Sequence, residues 1–443
     1  MSEFIVRLSG DKSITHRAFI FAALASGESI IRNVGAGEDL ASTRRVLKQM
    51  GVLIESISTD SWRVKGLGGL KQFKVSKEVL DCGNSGTSMR LLAGLFSGLN
   101  QRVTLDGDDS LRRRPMRRLA RVLEPLGRGL SSSASGGAPI QVGGDLNKCV
   151  EKIRDPQQRV VIETASGSAQ LKSAALLAAL SDVRHVEIKE EAQSRDHSER
   201  MLGALWVKSV IKSNLQLDLP SHKPVIPAFD MVSPGDLSSA SFWIAIAALS
   251  DSSRASIKLE GVNLNPSRMG LIRMAKKMGV TLTTQVETEV LGEPVGSIHI
   301  QPLSKQQHLK AIQPTAQEVI DALDELPLLA LLACFAQGRS EIRYAKELRV
   351  KESDRLEAMG EALSSLGAQI ETLEDGWLIE GNPHLLFTPS RELKSYGDHR
   401  IAMCLLIAKL KCIRGAQIQI NNLECISVSY PEFPKQLSAY CAF

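Results

Sequence analysis

Aromatic side chains are scarce in this sequence: Phe, Trp and Tyr together make up 4% of 443 residues. A chain so poor in rings offers few stacking platforms for bases, which argues against nucleic-acid binding, and its core must be aliphatic and rich in small residues. Cysteine is sparse as well, with seven residues at 82, 149, 334, 404, 412, 425 and 441 and no C-x-x-C pair. Most lie among apolar neighbours, so reduced core thiols are expected and a disulfide framework is not. No group of His, Cys, Asp and Glu has metal-ligand spacing. Long apolar runs are missing too: Phe242–Leu249 and Leu326–Ala336 are the longest, and both are too short to span a bilayer. The first residues carry Glu3 and Arg7 and show no secretory pattern. The expectation is a cytoplasmic protein without membrane or nucleic-acid partners.

What is present is ordinary in amount and unusual in arrangement. Hydrophobic residues make up 43% and charged residues 23%, and the net charge of +5 suits small acidic ligands. A chain of this length is expected to form two domains. It also repeats itself. An amphipathic helix, a glycine and a strand occur in Arg44–Glu55 around Gly51, Leu119–Ser133 around Gly127, Leu271–Thr283 around Gly279 and Met359–Glu371 around Gly367. A weaker copy, Ser198–Val210, has Trp206 at the glycine position, and the marks are spaced by 76, 79, 73 and 88 residues. Units of that length predict duplicated α/β modules in layered domains. Turn chemistry at Pro234-Gly235-Asp236, with a helix restarting at Leu237–Leu249, places a boundary near residue 232. A cleft between two such halves is the default place for a ligand.

The chain is organised around Gly10-Asp11-Lys12-Ser13-Ile14-Thr15-His16-Arg17. The strand-like Phe4–Leu8 precedes it, and Ala18–Ala25 reads as a buried helix ended by Gly27. Ser13 and Arg17 are four apart and share a helical face near the free N–H groups of the helix start, which is a ready anion site. An ATP-binding P-loop is excluded, because its two glycines would fall at Asp11 and Val6. Similar helix starts recur at Gly83–Arg90, at the basic run Arg112–Arg118, at Ser166–Ser173 and at Ser194–Glu199, where Asp196 and Glu199 have capping-box spacing. Three more follow: Leu323–Pro327, Leu348–Arg355 with Lys351 and Arg355 on one face beside Glu352, and Gly397–Met403. Seven such helix starts beyond the first, in one chain, point to small, multiply anionic substrates.

In order, the phrases Asp11-Lys12-Ser13, Gly83–Arg90, Arg114-Pro115, Ser168-Ala169-Gln170, Val350–Arg355 and Asp398-His399-Arg400 resemble those of the 5-enolpyruvylshikimate-3-phosphate synthases, the enolpyruvyl transferases of the shikimate pathway. The likeness runs from the first strand to Tyr430-Pro431-Glu432-Phe433. It implies an α/β fold of two similar domains, each of three βαβαββ repeats forming an inside-out α/β barrel, in a monomer that closes on its substrates. The domains would be 1–10 plus 232–443, and 11–231.

The activity implied is transfer of the carboxyvinyl group of phosphoenolpyruvate to the 5-hydroxyl of shikimate 3-phosphate, releasing phosphate, in aromatic amino acid biosynthesis. No metal, nucleotide or redox cofactor is implied. By position, Lys12, Ser13, Arg17, Ser168, Gln170, Arg195, Asp324 and Lys351 would bind shikimate 3-phosphate. Lys12, Gly86, Arg114, Gln170, Arg355 and Arg400 would bind phosphoenolpyruvate. Asp324 and Glu352 would form the acid–base pair, with Lys12 and His399 close by. The chemistry suits these types: one carbon must gain a proton while a hydroxyl loses one, and two phosphates and two carboxylates would repel without surrounding Arg and Lys.

Two positions depart from the family pattern: Val428 stands where some members have Lys, and Ala169 where others have Ser. The sister enzyme acting on UDP-N-acetylglucosamine relies on a Cys in the loop corresponding to Asp109–Arg118, which here has none. A non-catalytic anion-binding or RNA-associated protein using Arg112–Arg118 is the alternative from another class.

Overall fold

The structure, a computed structural model, describes residues 3–75, 77–146, 158–164, 168–182, 184–205, 211–213, 216–219, 225–250, 253–388, 392–413 and 419–443. The chain divides into two compact units. The first comprises Gly10–Ser233 with Glu289–Glu293, and the second Met1–Ser9, Pro234–Thr288 and Pro294–Phe443. The fold is mixed α/β in both.

The first unit has a core of three helices, Lys12–Leu24, Gly86–Phe96 and Ala169–Ala179, each buried along nearly its whole length. Past their polar first turns their sequences are apolar on every side, which suits a helix with no face toward water. Gly94 lets two of them touch: a Cβ there would lie 2.4 Å from the carbonyl oxygen of Ala174. The second unit is built the same way around Leu237–Leu249, Leu326–Ala333 and His399–Ala408.

Around these helices stand four-stranded sheets of one repeated topology, a parallel pair followed by antiparallel neighbours. In the first unit Asp230–Val232 runs parallel to Ser26–Arg32, which pairs antiparallel with Trp62–Leu67, and that strand with Leu53–Ser56. Leu80–Asp81, Arg102–Asp106, Ile140–Gly143 and Leu130–Ser132 repeat the order, as do Arg159–Thr164, His185–Glu190, Gln216–Leu219 and Ile211–Ser213. The second unit has Glu3–Arg7, Ser256–Asn263, Glu293–Ile300 and Leu282–Val290 in one sheet. Leu309–Lys310, Ala336–Ile342, Gly376–Gly381 and Gln369–Leu373 form another. Around His399–Ala408 the parallel bridges Phe387–Cys412 and Leu393–Ile420 mark a further module.

The helix–glycine–strand phrase has a physical basis. Gly51, Gly127, Gly279 and Gly367 have φ of 91°, 71°, 98° and 96°, the left-handed region in which a Cβ is strained. Each glycine turns the chain from a helix into the outermost strand of its sheet. The fifth mark, Trp206, lies outside the described residues, as do Cys149, Ser166 and Gly167.

Three local expectations are corrected. Gly27 does not end the first helix: the helix stops at Leu24, Ala25 is extended, and Gly27 lies in the strand Ser26–Arg32. Glu199 does not complete a capping box, because Lys172, 2.6 Å away, takes its carboxylate. Lys351 and Arg355 do not share a helix face, since the helix begins only at Arg355, capped by Asp354. Among the described residues no helix is long and apolar enough to cross a membrane.

Candidate active site

In the first unit the buried helices begin close to one another in chemistry as well as in space. Asp11 caps Lys12–Leu24 by accepting from the Ile14 N–H at 3.0 Å, and Ser85 caps Gly86–Phe96 by accepting from Ser88 at 3.1 Å. These helix starts spend donors on their own caps, so the expected anion-ready ends are partly satisfied from within. Attraction for an anion therefore falls mainly to the side-chain cations around them.

Lys12 reaches back to Asp39, 2.8 Å from its Nζ. Arg17 is buried and held on three sides by neutral oxygens. Its Nε donates to Ser198 at 2.6 Å, its Nη1 to the Ser13 carbonyl at 2.8 Å and its Nη2 to Ser173 at 2.7 Å. Burial, with a smaller contribution from Arg195, lowers the Arg17 pKa to about 10 against the opposing pull of Glu199, Asp11 and Glu293. The guanidinium remains charged, with no carboxylate in direct contact among the partners just named. Ser168 caps the third helix without a side-chain cap bond.

A second cluster forms on the same unit. Arg90 Nη1 donates to Gln170 Oε1 at 2.7 Å, and Gln170 Nε2 donates to Thr87 at 3.0 Å. Of the basic run, only Arg114 among Arg112–Arg114 turns inward: it is 7% exposed and donates to Asn84 Oδ1 at 2.5 Å. Arg112 instead pairs outside with Asp106 at 2.8 Å. Gly86 lies under both inward guanidinia, since a Cβ there would come within 2.8 Å of Arg90 Nη1 and 3.1 Å of Arg114 Nη1.

The second unit gathers the carboxylates. Arg355 is 1% exposed in its side chain and faces three of them. Its Nε donates to Asp398 at 2.7 Å, its Nη2 to Glu352 at 2.5 Å and its Nη1 to Asp324 at 3.2 Å. Burial alone would lower the Arg355 pKa, but Asp398, Glu352 and Asp324 outweigh it and raise it. Burial likewise works against the Asp398 charge, and Arg355 more than offsets it, so the carboxyl is held below its ordinary value. Asp398 also caps His399–Ala408, accepting from the Arg400 N–H at 2.9 Å. Lys351 Nζ stands 3.3 Å from Asp324, and Arg400 Nη1 donates to the Asp324 carbonyl at 3.2 Å. His399 is buried at the first position of its helix.

The residues proposed from sequence thus fall into two sets. Lys12, Ser13, Arg17, Gly86, Arg114, Ser168, Gln170 and Arg195 belong to the first unit, and Asp324, Lys351, Glu352, Arg355, His399 and Arg400 to the second. Sequence reading missed Asp39, the partner of Lys12, and the role of Asp398 as the anchor of Arg355. It also missed the seryl pair Ser173 and Ser198. Ser198 is 181 residues from the arginine it holds, so no local signal could have found it. Among the described residues no group of three or more His, Cys, Asp or Glu could hold a metal ion.

The family description "EPSP synthase (3-phosphoshikimate 1-carboxyvinyltransferase)" matches residues 3–437. A 3-phosphoshikimate 1-carboxyvinyltransferase from Gloeothece citriformis is 38% identical over 98% of this chain and 93% of its own length. One from Thermodesulfovibrio yellowstonii is 40% identical over 96% of this chain and 94% of its own. The solved EPSP synthase of Acinetobacter baumannii superposes with a TM-score of 0.80 at 33% identity, covering 99% of this chain and 95% of that one. The enolpyruvyl transferase NikO from Streptomyces tendae, 17% identical with a TM-score of 0.71 over 99% of this chain and 94% of its own, shares the fold.

Proposed function

This chain belongs to the EPSP synthase family, and from that premise we propose how its residues divide the reaction. The enzyme moves the enolpyruvyl group of phosphoenolpyruvate to shikimate 3-phosphate in the shikimate pathway to aromatic amino acids. The 5-hydroxyl gives up its proton and adds to C2 of phosphoenolpyruvate as C3 takes a proton, forming a tetrahedral adduct. Phosphate then leaves C2 and C3 loses a proton, which restores the double bond.

In our reading Lys12, Ser13, Arg17, Ser168, Gln170 and Arg195 hold shikimate 3-phosphate, with Asp324 and Lys351 on its ring hydroxyls. Lys12, Gly86, Arg114, Gln170, Arg355 and Arg400 receive phosphoenolpyruvate. Bidentate arginine suits its carboxylate and phosphate, and pre-placed donors stabilise charge as it develops. Asp324 and Glu352 act as acid and base, with Lys12 and His399 assisting. The observation that supports this most is the single buried guanidinium of Arg355 joining Asp324 and Glu352, with Lys351 against Asp324. Two carboxylates in different cationic surroundings can be tuned for opposite proton roles. The three carboxylates on Arg355 favour it as their organiser as well as a ligand for phosphoenolpyruvate. A monomer working in the cytoplasm completes the proposal.

The test is phosphate release from phosphoenolpyruvate that depends on shikimate 3-phosphate, in the parent enzyme and in Glu352→Gln and Asp324→Ala. Both variants should lose turnover while calorimetry still detects substrate binding. Retained turnover in both would remove the acid–base assignment.

A further inference from the structure

Glu325 follows Asp324 in the chain but serves different partners. It is 2% exposed, and its Oε1 accepts from the Ser238 hydroxyl at 2.5 Å. The same oxygen lies 3.5 Å from Arg400 Nη1 and 3.9 Å from Arg268 Nη2. Arg268 is itself buried, donates to Ser238 at 2.6 Å and lies 3.7 Å from Asp236 Oδ1. Three separate segments therefore meet at one carboxylate: the start of Leu237–Leu249, the turn Pro266–Arg268 and the start of His399–Ala408.

The consequence falls on Arg400. Its Nη1 is occupied by Glu325 and by the Asp324 carbonyl, and among the described residues its Nε and Nη2 have no protein partner. Nε and Nη2 form one edge of the guanidinium plane, the edge that takes a carboxylate or phosphate with two parallel hydrogen bonds. A tether on the opposite nitrogen fixes the plane and leaves that edge open.

We propose that Glu325, supported by Ser238 and Arg268, is a positioning residue that orients Arg400 toward the anionic groups of phosphoenolpyruvate. The proposal rests on the reading above that Arg400 receives this substrate. A buried charge placed there to stabilise the fold alone would have no reason to act on one substrate and spare the other. A tether on Arg400 does, because it acts only where that guanidinium binds.

The experiment measures both KM values and kcat in Glu325→Gln, Ser238→Ala and Arg400→Lys. Glu325→Gln keeps the size and removes the charge, and should raise KM for phosphoenolpyruvate about tenfold, with KM for shikimate 3-phosphate and kcat nearly unchanged. Ser238→Ala, which keeps both charges and serves if Glu325→Gln does not fold, should raise the same constant about two- to threefold. In the Arg400→Lys background the Glu325→Gln effect should largely vanish, since the oriented edge is already lost. A lower kcat with both KM values unchanged would mean a purely structural role and overturn the proposal. If Arg400→Lys leaves KM for phosphoenolpyruvate unmoved, the assignment of Arg400 fails and takes this proposal with it. If Arg400→Lys raises it while Glu325→Gln and Ser238→Ala do not, the assignment stands and the positioning role falls.

Discussion

Asp324 and Glu352 are joined through one side chain: the buried guanidinium of Arg355 donates to the first at 3.2 Å and to the second at 2.5 Å. The same side chain is anchored from behind by Asp398, at 2.7 Å from its Nε. A planar fork can hold three carboxylates at fixed angles, whereas an ammonium is a point charge on a flexible stem. Arg355→Lys should therefore keep the charge and lose the geometry. Misplacing reacting groups by about an ångström can cost about 100-fold, so kcat should fall by about that factor with KM values changed much less. Steady-state kinetics on the variant decides it, and a kcat within threefold of the parent would show that the fork does not set the carboxylate positions.

Gly86 is predicted to matter through the space above it. Its backbone is helical with ordinary φ, so Gly86→Ala should fold at least as well as the parent. The new methyl would press on the guanidinium tips of Arg90 and Arg114, 2.8 and 3.1 Å away. Both tips can swing aside, and doing so moves them from where they receive an anion. The expected result is a KM for phosphoenolpyruvate raised about tenfold against a nearly constant KM for shikimate 3-phosphate. Equal rises in both would mean that the methyl disturbs the unit as a whole.

The parts legible in the sequence are those carried by local chemistry. Gly51, Gly127, Gly279 and Gly367 signal left-handed turns because residues with a Cβ adopt them far less readily, and the modules follow from their spacing. The helix Leu237–Leu249 reads from the turn chemistry at Pro234-Gly235-Asp236 before it and from the apolar run Phe242–Leu249 within it. What stayed hidden are pairings between modules. Arg90 meets Gln170 across 80 residues, and Arg355 meets Asp398 across 43. Charge misled in one place: Arg112–Arg118 is the densest basic run, yet Arg112 is spent on an exposed pair with Asp106 and Arg114 is the one turned inward among Arg112–Arg114. A run of like charges carries no sign of which member is buried, because that depends on partners such as Asn84 elsewhere in the chain.

Lys172 shows the same limit and yields a stability prediction. It sits in the Ala- and Leu-rich helix Ala169–Ala179, is 2% exposed, and pairs with Glu190 at 2.7 Å and Glu199 at 2.6 Å. Burial works against its charge, but Glu199 and Glu190 outweigh this and raise its pKa. Lys172→Met would leave two carboxylates buried without their cation, at a cost of about 3–5 kcal/mol. Adding Glu199→Gln should restore part of the loss. Thermal melting of the single and double variants checks this, and a double variant less stable than Lys172→Met would contradict the pairing.

His16 predicts an acid limb in the stability profile. The ring is fully buried, its Nδ1 lies 2.7 Å from Thr43 Oγ1, and that hydroxyl lies 2.7 Å from Ser88 Oγ. Burial lowers its pKa from 6.5 to about 3, with Lys12 and Arg17 adding to the effect and Asp39 opposing it. The folded chain therefore refuses a proton that the unfolded chain takes up below pH 6.5. Stability is unaffected by this residue above that value and declines as pH falls from about 6.5 toward about 3. At pH 5 the loss amounts to about 2 kcal/mol, since each pH unit below 6.5 contributes about 1.4 kcal/mol. His16→Asn keeps a polar atom in reach of Thr43 and cannot titrate. Its stability relative to the parent should therefore improve by about 2 kcal/mol between pH 7.5 and pH 5, read from urea midpoints at both values. Parallel profiles for the two proteins would mean that the ring accepts its proton in the folded state, and the neutral His16–Thr43–Ser88 chain would have to be abandoned.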